Sequence, residues 1–368
     1  MSSVSYSHIQ KSFLRYQHIF VLIAPIAFIT TVLLIAPTPT NVGIEYWVQY
    51  WWLFPAFLLG ATMVNTVGIS GSAVFVPFLI FIFPLFAQPL EPETLVKVGL
   101  ISEAFGLSSS AVAFIQHGLV DRRLSIALVA GAIPFVVGGA LLSFIIPEPL
   151  FHGLLAIALL AASYLLFQTD LDHEHENETS AESVDDDTNI DRTASDGGIS
   201  SLPNDEDKLG PAGVSTDENG QVTRVDRQGD DYQYTRAGYL RRFGNYSIGG
   251  IFQGLAGFGV GELGIISMLG TKVPVRVAIG TNHIVVALTA VLASVVHVFG
   301  GGLVGGHSIS LASTPWNMVI FTVPATVLGG QIAPYVSNAL STNTIKTFVG
   351  GLFAIIAVAL FMMAAGGI

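Results

Sequence analysis

Long apolar runs, separated by short polar stretches, make up most of the chain. A helix needs about 20 apolar residues to cross a hydrocarbon core about 30 Å thick. The run at 48–87 is too long for one crossing and contains VGISGS at 67–72, so we interpret it as two helical pieces around a break. The pattern predicts an all-α integral membrane protein with about nine or ten membrane segments. The runs lie near 19–36, 48–87, 95–115, 124–146, 150–167, 244–270, 276–298, 315–338 and 345–366.

Composition supports this prediction and locates the charge. Hydrophobic residues make up 51% of the 368 residues and charged residues only 11%, whereas about 25% of a typical soluble domain is charged. The net charge of -11 comes from residues 168–242, which hold 19 of the 26 acidic side chains and 7 of the 15 basic ones. The chain has no cysteine, so disulfides and thiolate metal sites are excluded. We predict no metal and no cofactor, and we expect membrane lipid, not nucleic acid, as a partner.

The apolar runs divide the chain into four parts. Residues 1–47 form an N-terminal extension with one extra span, because its 18 apolar or small residues exceed the roughly 7–15 of a signal peptide. Residues 48–167 and 244–368 form two membrane units. Residues 168–243 lack an apolar period, so we predict an acidic, disordered linker.

The linker carries two further hints. DHEHE at 172–176 is interpreted as polar sequence and not as a metal site. The acid excess, with 5 lysines in the whole chain, fits a cell-membrane protein of a halophilic archaeon; an ordinary acidic linker is the alternative.

The two membrane units resemble each other. Gly68 and Gly257 are 189 residues apart, and Gly138 and Gly329 are 191 residues apart. A spacing this constant indicates a tandem duplication. The matching stretches are VGISGSAVFVP (67–77) and IPFVVGGALL (133–142) in the first unit, and AGFGVGELGII (256–266), VAIGTNH (277–283) and VPATVLGGQI (323–332) in the second.

Duplicated units with interrupted helices are typical of secondary transporters, whose substrate site lies at the interruptions. Glycines unwind a helix and leave N–H groups unpaired, and an anion can accept hydrogen bonds from them. The alternative is that the small residues only allow close helix packing. The predicted substrate-binding residues are Asn65, Gly68, Ser70, Gly71, Ser72, Gly257, Gly259, Gly261, Thr281 and Asn282.

Four ionisable residues inside the apolar runs are candidates for proton coupling, since such groups are rare in a membrane. Glu103 lies within the 95–115 run, and Glu262 lies in the second glycine turn. His283 and His297 are their candidate partners. A structural pair of Glu103 with Lys97 is the alternative for that carboxylate.

At these glycine turns the sequence resembles the TauE/SafE family, the sulfite exporter and 4-toluene-sulfonate uptake permease group. The resemblance covers roughly 48–167 and 244–366. It implies two four-helix repeats and transport of sulfur-containing or other small organic anions, coupled to an ion gradient, by alternating access and without enzymatic activity. Ser70 and Ser72 replace glycines of the first turn, and Glu262 adds a charge to the second. A homo-oligomer is left open.

Two other functions are considered. GISG at 68–71 matches the G-x-S-G pattern of rhomboid intramembrane proteases, and Ser70 with His283 or His297 would form the catalytic pair. A non-transporting membrane scaffold, whose acidic linker recruits a partner, is the third possibility. Such a scaffold gives no reason for glycine breaks or buried carboxylates.

Overall fold

A computed structural model describes residues 3–37, 43–168, 214–216, 220–226, 231–300, 314–339 and 342–365. Most of these residues are helical and only three short strands are present among them, which confirms the all-α prediction. The DHEHE stretch at 172–176 lies outside the described residues.

The helices of the first half follow the predicted apolar runs. A long N-terminal helix is followed by a short one, by two helices in place of the 48–87 run, and by three more. They are α1 (Ser3–Ile35), α2 (Ile44–Val48), α3 (Leu53–Val67), α4 (Ser72–Phe81), α5 (Pro92–Gln116), α6 (Arg122–Ser143) and α7 (Glu148–Gln168), with a 3-10 turn at Phe83–Leu85 between α4 and α5.

In the second half, three short strands are followed by five helices. The run at 244–270 is also divided in two, at the predicted second glycine turn. The strands are β1 (Val214–Thr216), β2 (Gln221–Val225) and β3 (Asp231–Thr235), and the helices are α8 (Tyr239–Ala256), α9 (Val260–Leu269), α10 (Val275–Phe299), α11 (Trp316–Ala339) and α12 (Thr342–Ala364).

Four of the described helices are long and apolar enough to cross a membrane: Glu93–Gln116, Arg122–Ser143, Val275–Phe299 and Trp316–Ser337. Large apolar side chains also cover the outside of the bundle; Leu59, Ile126 and Ile355 are 67–70% exposed. A soluble protein rarely leaves so much apolar surface in water, whereas lipid solvates it. The chain is therefore a multi-pass membrane protein.

The helices of the two halves pack in a reciprocal pattern. α6 packs along α8 and α3 packs along α11, while α5 contacts both α10 and α11, and α10 also contacts α6. α7 packs against α12. The crossings are close: a Cβ on Gly139 would lie 2.1 Å from the Ile251 carbonyl oxygen, and one on Gly330 would lie 2.4 Å from the Gly106 carbonyl oxygen. Small residues let backbones approach in this way.

Both halves contain a broken helix. The first break comprises residues 68–71, between α3 and α4, and the second comprises residues 257–259, between α8 and α9. Each break begins at a glycine with left-handed backbone, Gly68 at φ 80° and Gly257 at φ 85°. A residue with a side chain is strained in this conformation, so glycine ends both helices.

Part of the predicted linker has regular structure. The three strands form an antiparallel sheet in the order β1-β2-β3, with Val222 opposite Tyr234. The prediction of disorder for 168–243 is therefore wrong for these strands and for the start of α8. The alternation in QVTRV and DYQYT explains the sheet, because Val222 and Tyr234 are both buried while Gln221 and Gln233 are exposed.

The sheet docks on the loop between α5 and α6. The carboxylate of Asp121, the N-cap of α6, accepts hydrogen bonds from Tyr234 Oη at 2.8 Å and from Arg236 at 2.8 and 3.3 Å. Arg224 donates to the Gly118 carbonyl at 2.7 Å. Burial opposes ionisation of Asp121, but the hydrogen bonds of Arg236, Tyr234 and the Leu124 amide outweigh it and hold the pKa of this carboxyl below its usual value. Burial raises the pKa of Tyr234 to about 12, so its hydroxyl remains a donor.

We expect Asp121→Asn to weaken docking of the sheet by about 1.5–3 kcal/mol, the range for hydrogen bonds to a charged group. Asparagine still caps α6, so the loss belongs to the contacts of the carboxylate with Arg236 and Tyr234. Thermal unfolding of Asp121→Asn, Arg236→Gln and the double variant in detergent measures the coupling. Strictly additive effects of the two substitutions would contradict it.

The same contact has a defined pH dependence. Because the pKa of Asp121 is lowered in the folded protein, its contribution to stability is fully present above the pKa of an ordinary aspartate. It is lost as the pH falls through the lowered value. The difference in melting temperature between the wild type and Asp121→Asn should therefore be constant near neutral pH and shrink only in strong acid.

Candidate functional site

The two helix breaks lie against each other in the protein interior. The Gly261 N–H, in the first turn of α9, donates to Ser70 Oγ in the first break at 3.3 Å. A Cβ on Gly261 would lie only 2.3 Å from the Ser70 nitrogen. The missing side chain at Gly261 therefore allows the start of α9 to touch the first break.

Glu262 connects the two breaks through one carboxylate. Its Oε1 accepts a hydrogen bond from the Ser70 N–H at 3.1 Å, and its Oε2 accepts one from the Gly259 N–H at 2.7 Å. The side chain is third in α9 and 2% exposed. A carboxylate at this position caps its own helix, and here it also satisfies an amide of the other half.

Glu103 makes the corresponding link from α5. Its Oε2 accepts from the Ser72 N–H, the first amide of α4, at 2.9 Å. Its Oε1 accepts from Gln253 Nε2 at 3.0 Å. Gln253 Oε1 in turn accepts from Ser70 Oγ at 3.1 Å. Glu103 thus joins the start of α4 to α8, and Gln253 connects it to the first break.

Asn282 of α10 binds backbone carbonyl oxygens at the two breaks. Its Nδ2 donates to the carbonyl oxygens of Gly68 at 2.7 Å and Gly261 at 2.8 Å. Its Oδ1 accepts from Tyr246 Oη at 2.6 Å. The amide side chain therefore uses both of its N–H groups and its oxygen to hold the two breaks together.

Among the described residues, the groups that donate hydrogen bonds to the two carboxylates are neutral, and they include three backbone amides and the Gln253 side chain. Lys97, the alternative partner of Glu103, lies 2.5 Å from Glu93 Oε1. Amides at helix N-termini carry partial positive charge, so they can stabilise an anion without the help of a lysine or arginine side chain. The arrangement can therefore hold negative charge with backbone donors.

The expectation of unpaired amides at both breaks is wrong for Ser70, Ser72 and Gly259. Glu262 and Glu103 occupy these amides in the structure. The physical reason is that a freed amide without water must find an acceptor, and a carboxylate is a strong one.

Most of the predicted site residues meet at the breaks. Gly71 and Gly257 contribute by close approach, since a Cβ on Gly71 would contact Glu103 Cβ at 3.4 Å and one on Gly257 would contact Ser72 Oγ at 3.0 Å. A role in substrate binding stays a prediction for all of them. The residues brought together are Gly68, Ser70, Gly71, Ser72, Glu103, Gly257, Gly259, Gly261, Glu262 and Asn282.

Two predicted polar residues have other contacts. Thr281 Oγ1 accepts from the Asp121 N–H at 3.0 Å, so it faces the α5–α6 loop and not the breaks. Asn65 Nδ2 donates to the Ala61 carbonyl of its own helix at 2.7 Å. Asn65 Oδ1 is buried without a hydrogen-bond partner.

The two candidate histidines contact other groups. His283 Nδ1 lies 3.2 Å from Ser110 Oγ, and its ring meets Phe114 edge-on. His297 Nε2 lies 2.8 Å from the Gly254 carbonyl oxygen. Ser70 Oγ, in contrast, bonds to Gln253 and to the Gly261 amide. The structure does not form the serine–histidine pair of the protease alternative.

Gln253 and Tyr246 belong to the site but were not predicted from the sequence. Gln253 lies four residues before Gly257, in an otherwise apolar stretch, and Asn65 lies three residues before Gly68, so an amide side chain precedes each break by about one helical turn. That signal could have identified it. Tyr246 lies in the N-terminal half of α8, and only the packing of α8 against α10 brings its hydroxyl to Asn282.

Comparison with known proteins gives one match. A family model described as "Sulfite exporter TauE/SafE" matches residues 53–360. No curated protein and no solved structure matches the chain. The matched range includes both breaks and every residue of the network described above.

We expect Gly261→Ala to separate the two breaks, because the new methyl group would overlap the Ser70 amide. Overpacking of this kind destabilises a protein by about 1–3 kcal/mol. Gly138→Ala is the matched control, since a Cβ there meets nothing within 4 Å; it should be neutral or slightly stabilising. Thermal unfolding of both variants in detergent makes the comparison, and equal melting temperatures would contradict the close contact.

Proposed function

The chain belongs to the TauE/SafE sulfite exporter family of membrane transporters, and on this basis we propose that it is a secondary transporter of small sulfur-containing anions. Sulfite and organic sulfonates are the proposed substrate class. The proposed mechanism is alternating access of two repeats, coupled to a proton gradient. The observation that carries this proposal is the contact of two helix breaks through buried carboxylates.

The reciprocal helix packing supports the duplication. If α3, α5, α6 and α7 correspond to α8, α10, α11 and α12, then the α6–α8 contact corresponds to the α11–α3 contact. The α5–α11 contact likewise corresponds to the α10–α6 contact. A pseudo-twofold arrangement of two repeats produces such pairs and places equivalent segments at a common interface. The two breaks lie at this interface.

The chemistry of the breaks supports an anionic substrate. Helices α4 and α9 each begin at a break, so their first amides point into the region where the two halves meet. Lipid offers no hydrogen bonds, and these amides favour an acceptor with negative charge. A sulfite or sulfonate oxygen is such an acceptor. Backbone donors therefore take the role that arginine has in many soluble anion sites.

The buried carboxylates support proton coupling. Glu103 and Glu262 are 1% and 2% exposed, and a chain of two hydrogen bonds through Gln253 and Ser70 connects Glu103 to the residue that binds Glu262. Ionised groups in an apolar interior are costly unless they are paired. Taking up a proton from one side of the membrane and releasing it on the other would couple these residues to the gradient.

Uptake by proteoliposomes that contain the full-length protein tests this function. With the outside more acidic by about one pH unit, coupling of one proton to one monoanion sustains about a tenfold accumulation of methanesulfonate, or of sulfite counted as its monoanion bisulfite. We expect Glu103→Gln and Glu262→Gln to lose this accumulation, because glutamine cannot carry the proton. Exchange of labelled for unlabelled anion should persist.

Glu91→Gln is the matched control, since Glu91 is an exposed glutamate at the start of α5. It should accumulate the anion as the wild type does. Wild-type liposomes that take up neither anion, with or without a pH gradient, would refute the proposed function.

A further inference from the structure

The amides at the two breaks already hold anionic side chains. Glu262 accepts from Ser70 and Gly259, and Glu103 accepts from Ser72. Each carboxylate also receives a hydrogen bond from the opposite half of the chain, through Ser70 for Glu262 and Gln253 for Glu103. These groups stand where a substrate anion would have to bind. Substrate and carboxylate cannot use the same amides at the same time.

A second observation shows that the carboxylates do not satisfy the region completely. Ser72 Oγ is fully buried and lies beside the Glu103 carboxylate, but no hydrogen bond of normal geometry satisfies it. It lies 3.0 Å from where a Gly257 Cβ would be and 3.1 Å from where a Gly99 Cβ would be, so it is packed between the second break and α5. A carboxylate has two oxygens, whereas a sulfite or sulfonate group has three. The third oxygen would find a donor in this hydroxyl.

We propose that Glu262 and Glu103 are tethered competitors of the substrate, which occupy its amides in the empty carrier and release them when they take up a proton. This inference rests on the proposed function and specifies how the same site is regulated. The proton comes from water on the open side of the membrane, and it returns to water when the carboxylate replaces the departing substrate. The substrate and the proton are therefore transported together.

The other titratable groups near the breaks are occupied elsewhere. On α5, Lys97 contacts Glu93; on α10, His283 contacts Ser110 and His297 contacts the Gly254 carbonyl; on α8, the Tyr246 hydroxyl donates to Asn282. The two carboxylates are the titratable groups that hold break amides in the described part of the chain. A pH dependence of anion binding is therefore assigned to them.

Anion binding to the purified full-length protein tests the proposal. The rise of the melting temperature with anion concentration gives a dissociation constant at each pH. Methanesulfonate keeps its single charge over the range where carboxyl groups titrate, so its pH dependence reports on the protein; sulfite is the second probe. If carboxylates compete, the wild-type dissociation constant falls as the pH decreases, by up to about tenfold per pH unit for each carboxylate that must take up a proton, because the competent fraction rises with proton concentration.

Glu262→Gln is the decisive variant. Glutamine offers one oxygen and no charge, so it releases at least one of the two amides. We expect the variant to bind methanesulfonate at least about tenfold more tightly than the wild type at neutral pH, with a reduced pH slope. Glu91→Gln should match the wild type in both respects. A permanent structural cap predicts the opposite, namely weaker binding and an unchanged slope.

The outcomes separate this proposal from the proposed function. Wild-type binding that is independent of pH, or weaker binding by Glu262→Gln with the wild-type slope, overturns the tethered competitor and leaves an anion carrier. If Glu262→Gln does not fold, the wild-type slope decides. A wild-type protein that binds neither methanesulfonate nor sulfite at any pH overturns both.

Discussion

The structure depends on one constraint: an amide that leaves a helix inside a membrane protein must find an acceptor within the protein. Two left-handed glycines, Gly68 and Gly257, end helices in the interior and leave amides of this kind. Glu103 and Glu262 supply the acceptors. Each carboxylate accepts hydrogen bonds from both halves of the chain. The side chains that satisfy the amides at the breaks therefore also connect the two halves.

These hydrogen bonds between the two halves limit how the halves can move relative to each other. Asn282 binds carbonyl oxygens on both sides, and Glu262 binds amides on both sides, so the breaks cannot separate while these contacts remain. The hydrogen bonds of Asn282 to carbonyl oxygens do not change when the pH changes, because neither partner titrates. The hydrogen bonds of the amides to Glu262 do change, because the carboxylate can take up a proton. In the proposed mechanism, motion that is sensitive to protons therefore begins at the carboxylates, and Asn282 keeps the breaks in register until the carboxylates release their amides.

The apolar pattern was sufficient to predict nearly every described helix, because a run of about 20 apolar residues has few alternatives in lipid. The site was predicted in part. Glycines and carboxylates in apolar runs identified both breaks and both acids. Tyr246 could not be found, since its contact depends on how two helices cross. The partner of Thr281 is the Asp121 amide, a loop group that no periodicity reveals. The sheet was missed because the acidic composition of the linker obscured two short alternating stretches.

The docked sheet is connected to the breaks through a few hydrogen bonds. Its Arg236 and Tyr234 bind the Asp121 carboxylate, and the Asp121 amide donates to Thr281. The next residue along α10 is Asn282, whose side chain holds both breaks. An α10 fixed at Thr281 presents Asn282 in one orientation, because adjacent helical residues cannot rotate independently. The insertion between the two halves therefore helps to set the position of the residue that keeps the breaks together.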